Sequence, residues 1–373
     1  MSSPPSPNSP RILEAQADFA LNLLREVSTD DRSCIVSPFS VAVTLSMVYA
    51  GAKEKTGEEI GQLLAKGAPE SEVHKYFGAL LKSMTIGTNS SNTLETANKA
   101  YVKNGIRLQD AFKGQIEGNY VGQFETVDFL DGEGTAEKIN KFVKEATHEK
   151  IRDLVTPDNF DENTRLVLIN ALYFKGKWAD EFDSKFTENA QFHMDEKNSK
   201  KLEMMHLEAD FIYSKKAQFK MLGMPYRGGR EFMFVLLPRE RFGLAKLLAQ
   251  LDGKTLVELL KKRDKRTVKV KLPKFKLEAT HELNKPLTNM GMATAFTDRA
   301  NFEGISGNKR LLISKVIQKA YIEVNEEGTV AAAVTEEETE SGSTRESSFV
   351  ADHPFCAFLI RDDTVLFSAI FRE

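Results

Sequence analysis

Cysteine is nearly absent. Cys34 and Cys356 are the two in 373 residues, and they lack the C-x-x-C spacing of a zinc or redox site, so neither a disulfide framework nor a thiolate centre organises the chain. Both read as core-side thiols. An excess of charge of one sign is missing too. Lys+Arg 51 against Asp+Glu 54 leaves a net charge of -3, which supplies no global field toward nucleic acid or an anionic membrane. Any such partner needs a local patch. No apolar run reaches the length of a membrane span. Residues 1–10, polar and rich in Ser and Pro, lack a basic n-region followed by an apolar h-region. The expectation is a disordered start on a protein that is cytoplasmic, or exported without a cleavable signal peptide. In the second case the sequon at Asn89 matters.

Enzyme signatures are also lacking. After His148-Glu149, Arg152 stands where the second ligand of H-E-x-x-H belongs, and G-x-G-x-x-G, G-x-x-x-x-G-K-[ST] and G-x-S-x-G do not occur. Gly304-Ile305-Ser306-Gly307 falls one residue short of a nucleophile elbow. Nothing local marks a nucleophile, a metal or a cofactor.

What the chain does have is a core-forming composition, 41% hydrophobic and 28% charged. Its first half reads as helices broken by one strand. Ile12, Phe19, Leu23 and Val27 recur at helical spacing. Ser37-Pro38 supplies an N-cap and a first-turn proline ahead of Val41 to Ala52. Thr56 and Glu59 match a capping box. Ile139, Phe142, Val143 and Ile151 predict an amphipathic helix across Ala136 to Val155.

At Leu166 the period changes. LVLINALYF fits a strand buried on both faces. Phe232 to Leu237, Val268 to Leu272, Leu311 to Val324, Phe355 to Ile360 and Val365 to Phe371 also read extended, with helices at Gly243 to Leu251 and Thr255 to Lys262. No linker or repeat divides the chain, so residues 11–373 are expected to form one α+β domain.

Two stretches stand out. Lys261, Lys262, Arg263, Lys265 and Arg266 open a basic run that continues to Lys276, a candidate polyanion site. Yet Val268, Val270 and Leu272 alternate with Lys269 and Lys271, as on one solvated face of a half-buried strand. Between Val334 and Phe349 runs TEEETESGSTRESS, which has no large apolar side chain to bury. Long structureless loops inside compact domains are usually functional or disordered. This one lies between a long strand and a C-terminal strand pair, so both ends are anchored, which favours an exposed loop with a task.

Before the loop stands Val324-Asn325-Glu326-Glu327-Gly328-Thr329-Val330-Ala331-Ala332-Ala333-Val334-Thr335, and after it Ala351-Asp352-His353-Pro354-Phe355. Together with Ser37-Pro38-Phe39-Ser40, Asn170 to Trp178, Leu272-Pro273-Lys274-Phe275 and Met290-Gly291-Met292, these resemble the motifs of the serpins, in order and across nearly the whole chain. The resemblance implies three β-sheets, eight to nine helices and a reactive-centre loop at about 326–350. It also implies a monomer that inhibits a serine protease by suicide-substrate loop insertion, with no cofactor, no metal, and neither nucleic acid nor membrane as partner. The runner-up is a non-inhibitory carrier, chaperone or storage serpin, which is free to carry bulky or charged hinge residues.

Here the hinge, Glu327, Gly328, Thr329, Val330, Ala331, Ala332 and Ala333, is small beyond Gly328, so neither face of an inserting strand is blocked. Glu337, on the same face as Thr335, would point inward. Family spacing places the reactive bond at Gly342-Ser343, which suits an elastase-like pocket. Chemistry points to Arg345-Glu346, beyond Thr344, because Arg345 is the loop's one basic side chain and fits a trypsin-like pocket. Both stay open. The resemblance further implies a sheet-opening network of Ser37, Ser40, Asn170 and Gln318, with Gln318 where the family usually has His, a family Trp at Trp178, and Phe142 in place of a frequent Trp.

Overall fold

The computed structural model describes residues 10–28, 32–85, 92–120, 123–307, 311–328 and 347–373. The spacing of Ile12, Phe19 and Leu23 winds into α1 (Pro10–Val27), followed by β1 (Cys34–Val36), α2 (Pro38–Tyr49), α3 (Glu54–Ala65) and α4 (Glu70–Thr85). Then come β2 (Thr93–Lys103), α5 (Asp110–Tyr120), β3 (Gln123–Val127), α6 (Gly132–Ala146) and β4 (Leu166–Lys175). Strands dominate the rest: β5 (Glu188–His193), β6 (Ser199–Lys215), β7 (Phe219–Pro225) and β8 (Glu231–Pro238) precede α7 (Leu244–Gln250) and α8 (Gly253–Leu260). After β9 (Lys265–Pro273), β10 (Phe275–Glu282), α9 (Asn284–Asn289) and α10 (Glu303–Ser306), the chain ends in β11 (Lys315–Val324), β12 (Ser347–Val350), β13 (Phe355–Arg361) and β14 (Thr364–Phe371).

Two strands in the first half, β2 and β3, go beyond the one expected from sequence. In β2 only Ala97, Ala100, Tyr101 and Val102 are buried, too irregular a pattern to mark a strand. The helix expected to reach Val155 stops at Ala146, because His148, Glu149 and Asp153 adopt left-handed φ of 48°, 62° and 52°, which no helix accommodates. The capping box fails as well. Lys53 caps α3, Thr56 Oγ1 accepts the Asn301 N–H at 3.0 Å, and Glu59 binds the Thr294 N–H at 2.8 Å. Strand β11 begins at Lys315 rather than Leu311.

The three sheets implied by the resemblance are two by hydrogen bonding. A nine-stranded sheet is continuous because β6, 17 residues long, pairs with β5, β7 and β9 along its length. A five-stranded sheet has the order β10-β11-β4-β2-β3. Ten α-helices occur among the described residues, α9 and α10 being only 6 and 4 residues long.

The five-stranded sheet is covered on both faces, which is why its central strand reads as an uninterrupted apolar run. Leu166, Leu168, Leu172 and Phe174 of β4 enter the main core with α2, while Val167, Ile169, Ala171 and Tyr173 meet Ile139 and Val143 of α6. Burying each of those two α6 side chains contributes roughly 1.5–3 kcal/mol. Helix α2 is buried all round and begins, as predicted, at the Ser37 cap, whose Oγ accepts the Ser40 N–H at 3.2 Å. Cys34 and Cys356 are buried thiols, not a disulfide. Both lie opposite Ile370, on either flank of β14.

Candidate functional site

Within the five-stranded sheet, β4 and β11 run parallel to each other and lie side by side, Lys315 to Tyr321 against Val167 to Tyr173. Parallel neighbours leave β11 free to turn back along itself at its exit, where the candidate loop begins. That turn is present. The Asn325 N–H donates to the Gly328 carbonyl at 2.9 Å and the Gly328 N–H to the Asn325 carbonyl at 3.2 Å, with Glu326 and Glu327 at the tip. Gly328 also bridges antiparallel to Lys177, on the continuation of β4. It therefore stands between the two strands, antiparallel to both.

Glycine is required at that point. With φ of +124°, a Cβ on Gly328 would lie 2.3 Å from the Gly176 carbonyl oxygen and 2.7 Å from the Trp178 nitrogen. The turn is pinned by its neighbours. The Trp178 N–H donates to the Glu327 carbonyl at 2.9 Å, and the Phe182 N–H to the Glu326 carbonyl at 2.8 Å. The Trp178 indole donates to the Asn325 carbonyl at 3.0 Å and stacks on Tyr226, ring centroids 4.2 Å apart.

The two glutamates differ. Burial pushes the Glu326 carboxyl up, but hydrogen bonds, including Thr187 Oγ1 at 2.8 Å and Lys274 at 3.3 Å, hold it below its ordinary pKa. Glu327 goes the other way: burial raises it, Lys177 offsets part of this, and Glu181 and Glu326 add to the rise. Its Oε2 is buried with no hydrogen-bond partner among the described residues. The turn thus carries one satisfied and one dissatisfied carboxylate.

Deeper along the same seam lies a row of polar side chains crossing four strands. Asn98 of β2 pairs with Asn170 of β4, Asn170 with Gln318 of β11, and Gln318 with His281 of β10. All face α2. Gln318 Oε1 accepts the Ser37 N–H and Gln318 Nε2 donates to the Ser37 carbonyl, both at 2.8 Å. Ser37 Oγ donates to the Leu366 carbonyl at 2.8 Å, Ser40 Oγ to Asn98 Oδ1 at 2.5 Å, and Thr44 Oγ1 to Asn170 Oδ1 at 2.5 Å. Burial lowers the His281 pKa against its bond to the Ile35 carbonyl, so the neutral ring donates through Nε2 at 2.8 Å.

The four residues expected in this network, Ser37, Ser40, Asn170 and Gln318, are thus together. Asn98, His281 and Thr44 were not anticipated, since only strand register puts Asn98 and His281 in the row and only the packing of α2 on the sheet brings Thr44 to Asn170. Gln318 takes both ends of the Ser37 peptide, and Gln318 and Ser37 are fully buried. Gln318→Ala leaves the buried Ser37 N–H unpaired, at about 1–3 kcal/mol, and takes from the Ser37 carbonyl one of its two bonds, worth about 1 kcal/mol more, the other being to the Val41 N–H at 3.3 Å. A loss of roughly 2–5 kcal/mol in urea unfolding is expected. A loss under about 1 kcal/mol would contradict these bonds.

Helix α6 lies across the opposite face. Phe142, in place of the family's frequent Trp, has the Lys99 ammonium 4.7 Å from its ring centroid. Lys319 of β11 donates to the Arg152 carbonyl at 2.9 Å, tying the segment after α6 over the seam. Thr329, Val330, Ala331, Ala332 and Ala333 lie outside the described residues, as do Gly342, Ser343, Thr344, Arg345, Glu346 and the sequon at Asn89. Among the described residues no cluster of His, Cys, Asp and Glu is suited to a metal ion, and no helix is long and apolar enough to cross a membrane.

Residues 14–371 match the family model described as serpin, serine protease inhibitor. The chain is 35% identical to Serpin B6 of Macaca fascicularis over 97% of this chain and 99% of that one. It is 35% identical to the leukocyte elastase inhibitor of Bos taurus, over 94% of this chain and 95% of that one. Among solved structures, that of Serpin48, described as a highly specific serpin of the insect Tenebrio molitor, superposes with a TM-score of 0.86. It is 34% identical, over 98% of this chain and 99% of that one.

Proposed function

Since this chain belongs to the serpin family, we propose that it inhibits serine proteases by offering the segment after Gly328 for cleavage and then drawing that segment between β4 and β11. One observation carries the reading: Gly328 is already bridged antiparallel to Asn325 on one side and Lys177 on the other. A strand continuing from it is antiparallel to both neighbours, so insertion exchanges one parallel pairing for two antiparallel ones, the more stable kind per residue.

The register of such a strand follows. Seven residues beyond Gly328 is Thr335. Seven before Asn325 is Gln318 and seven before Lys177 is Asn170, which are themselves cross-strand partners. Thr335 then joins the polar row, where a hydroxyl can bond. Thr329, Ala331 and Ala333 share its face and are small enough to enter. Glu337 comes to lie between Leu168 and Val316, both fully buried, and the cost of desolvating it argues that insertion weakens at that depth.

In the chemical step the protease serine oxygen attacks the reactive carbonyl, the peptide bond breaks, and the leaving amine departs with a proton. The chain remains held as an ester. Insertion carries the ester away before water attacks it. The partner is a serine protease with a trypsin-like or elastase-like pocket. A polyanion at Lys261, Lys262, Arg263, Lys265 and Arg266 is a second, independent partner.

Incubation with a protease panel, followed by denaturing electrophoresis and mass spectrometry of the loop, tests the reading. A covalent complex is expected with at least one enzyme. If every enzyme cuts the loop and keeps its activity, the inhibitory reading fails. Arg345→Ala separates the two bonds. If Arg345 fills an acidic pocket, the rate constant against a trypsin-like enzyme falls at least about a hundredfold, since losing a buried charge-assisted pair leaves a carboxylate unpaired. An unchanged constant, with elastase-like inhibition persisting, assigns the bond to Gly342-Ser343.

A further inference from the structure

The seam between β4 and β11 is shut over only part of its length. Their register runs from Lys315 opposite Val167 to Tyr321 opposite Tyr173 and stops there, although β11 continues to Val324 and β4 to Lys175. The end nearest Gly328 is therefore already parted. Tyr173 with Tyr321 is the first closed rung.

That rung differs from those below it. On the face that α6 covers, the pairs across the seam are Ile317 with Ile169, Lys319 with Ala171, and then the two tyrosines, both buried, their ring centroids 5.8 Å apart. Among the described residues no other ring pair spans the seam. Each ring is held on its own side. The Tyr321 hydroxyl donates to Glu323 at 3.0 Å, and the ammonium of Lys276, on β10, lies 5.0 Å from the Tyr321 centroid. Tyr173 stands opposite Glu95 of β2, which bonds His148 at 3.1 Å. When the strands part, the break falls between the rings.

The hinge meets this rung at one residue. On the reading that the segment after Gly328 inserts, Thr329 would pair with Val324 and Gly176, Val330 with Glu323 and Lys175, and Ala331 with Ile322 and Phe174, all in the parted mouth. Ala332, the fourth, would come between Tyr321 and Tyr173 and share their face. A strand there sets the rings two strand spacings, about 9.5 Å, apart, which is beyond ring contact. We propose that Tyr173 and Tyr321 are the latch of the seam, a positioning pair whose separation sets how fast the loop enters beyond Ala331. An aromatic pair is worth a factor of about 2 to 10 beyond the area that it buries. The latch therefore holds the sheet closed in the intact chain and contributes nothing once the strand is in place.

Uptake of a labelled synthetic peptide with the sequence of residues 329–342 by the intact chain reads the opening without a protease. Tyr173→Leu and Tyr321→Leu are each expected to take it up at least about threefold faster than wild type, and Tyr173→Phe and Tyr321→Phe, which keep the rings, within about twofold. A double-mutant cycle on the two leucine substitutions, followed by guanidinium unfolding, should give a coupling of at least about threefold in the intact chain and under about twofold in chain cleaved within the loop. Melting curves show that each variant folds. Equal uptake by the leucine and wild-type chains, no coupling in the intact chain, or equal coupling before and after a cleavage that raises the melting temperature overturns the latch and leaves insertion standing. A wild-type chain that takes up no peptide and melts no higher after cleavage removes the insertion reading, and the latch with it.

Discussion

Thr329→Arg is expected to turn the inhibitor into a substrate. In an inserted strand continuing the register of Gly328, residue 329 would lie between Val324 and Gly176 and face the core, where Val324 is 1% exposed. It is the first side chain that must leave water, so an arginine there obstructs insertion before any later residue can pair. Desolvating an unpaired charge costs several kcal/mol in real proteins, and each 1.4 kcal/mol slows a step about tenfold. Insertion then falls behind hydrolysis of the ester. The number of inhibitor molecules consumed per protease inactivated should rise at least about tenfold, while the loop is cut at the same bond and at a similar rate. Titrating protease activity against inhibitor gives this ratio directly. A value unchanged from wild type removes insertion at Thr329 as the trapping step.

Cleavage between Glu340 and Arg345 should raise the melting temperature, whereas most nicked proteins lose stability or keep it. Once cut, about ten residues from Thr329 can pair with both β4 and β11. At about 1 kcal/mol net per hydrogen bond the gain is on the order of 10 kcal/mol. An unfolding entropy of ~2.1 cal/mol/K per residue over the 373 residues makes this a rise on the order of 10 °C or more. Burial of Glu337 subtracts from the gain. Calorimetry of protein cleaved by a protease that it does not inhibit is the measurement. An unchanged or lower transition would show that the native sheet stores no such free energy.

Much of the site was legible because its signals are local. Ser37-Pro38 is a cap and a first-turn proline wherever it occurs, and α2 starts there. LVLINALYF cannot be half solvated, and β4 is covered on both faces. A stretch without large apolar side chains between two strands cannot be core. Of the expected hinge the structure describes Glu327 and Gly328, and Gly328 stands where φ is +124°.

Other features were hidden because they depend on pairing across distance. Nothing near Asn98 or His281 says that they share a row with Gln318, because strand periodicity gives a side chain's face but not its partner, and nothing near Thr44 says that α2 brings it to Asn170. The end of α6 was misjudged because the apolar spacing continued through Ile151, while the backbone turned left-handed at His148 and Glu149.

Composition and local pattern by themselves determined the α+β class, the buried central strand and the capped helix behind it. Each follows from the solvation and backbone preference of a few neighbouring residues. Only the tertiary structure decided that β4 and β11 lie parallel with Gly328 bridging both at the mouth, and that Gln318 clasps Ser37. These are matters of register between segments as much as 281 residues apart, and register is fixed by how both faces of a whole sheet are buried at once.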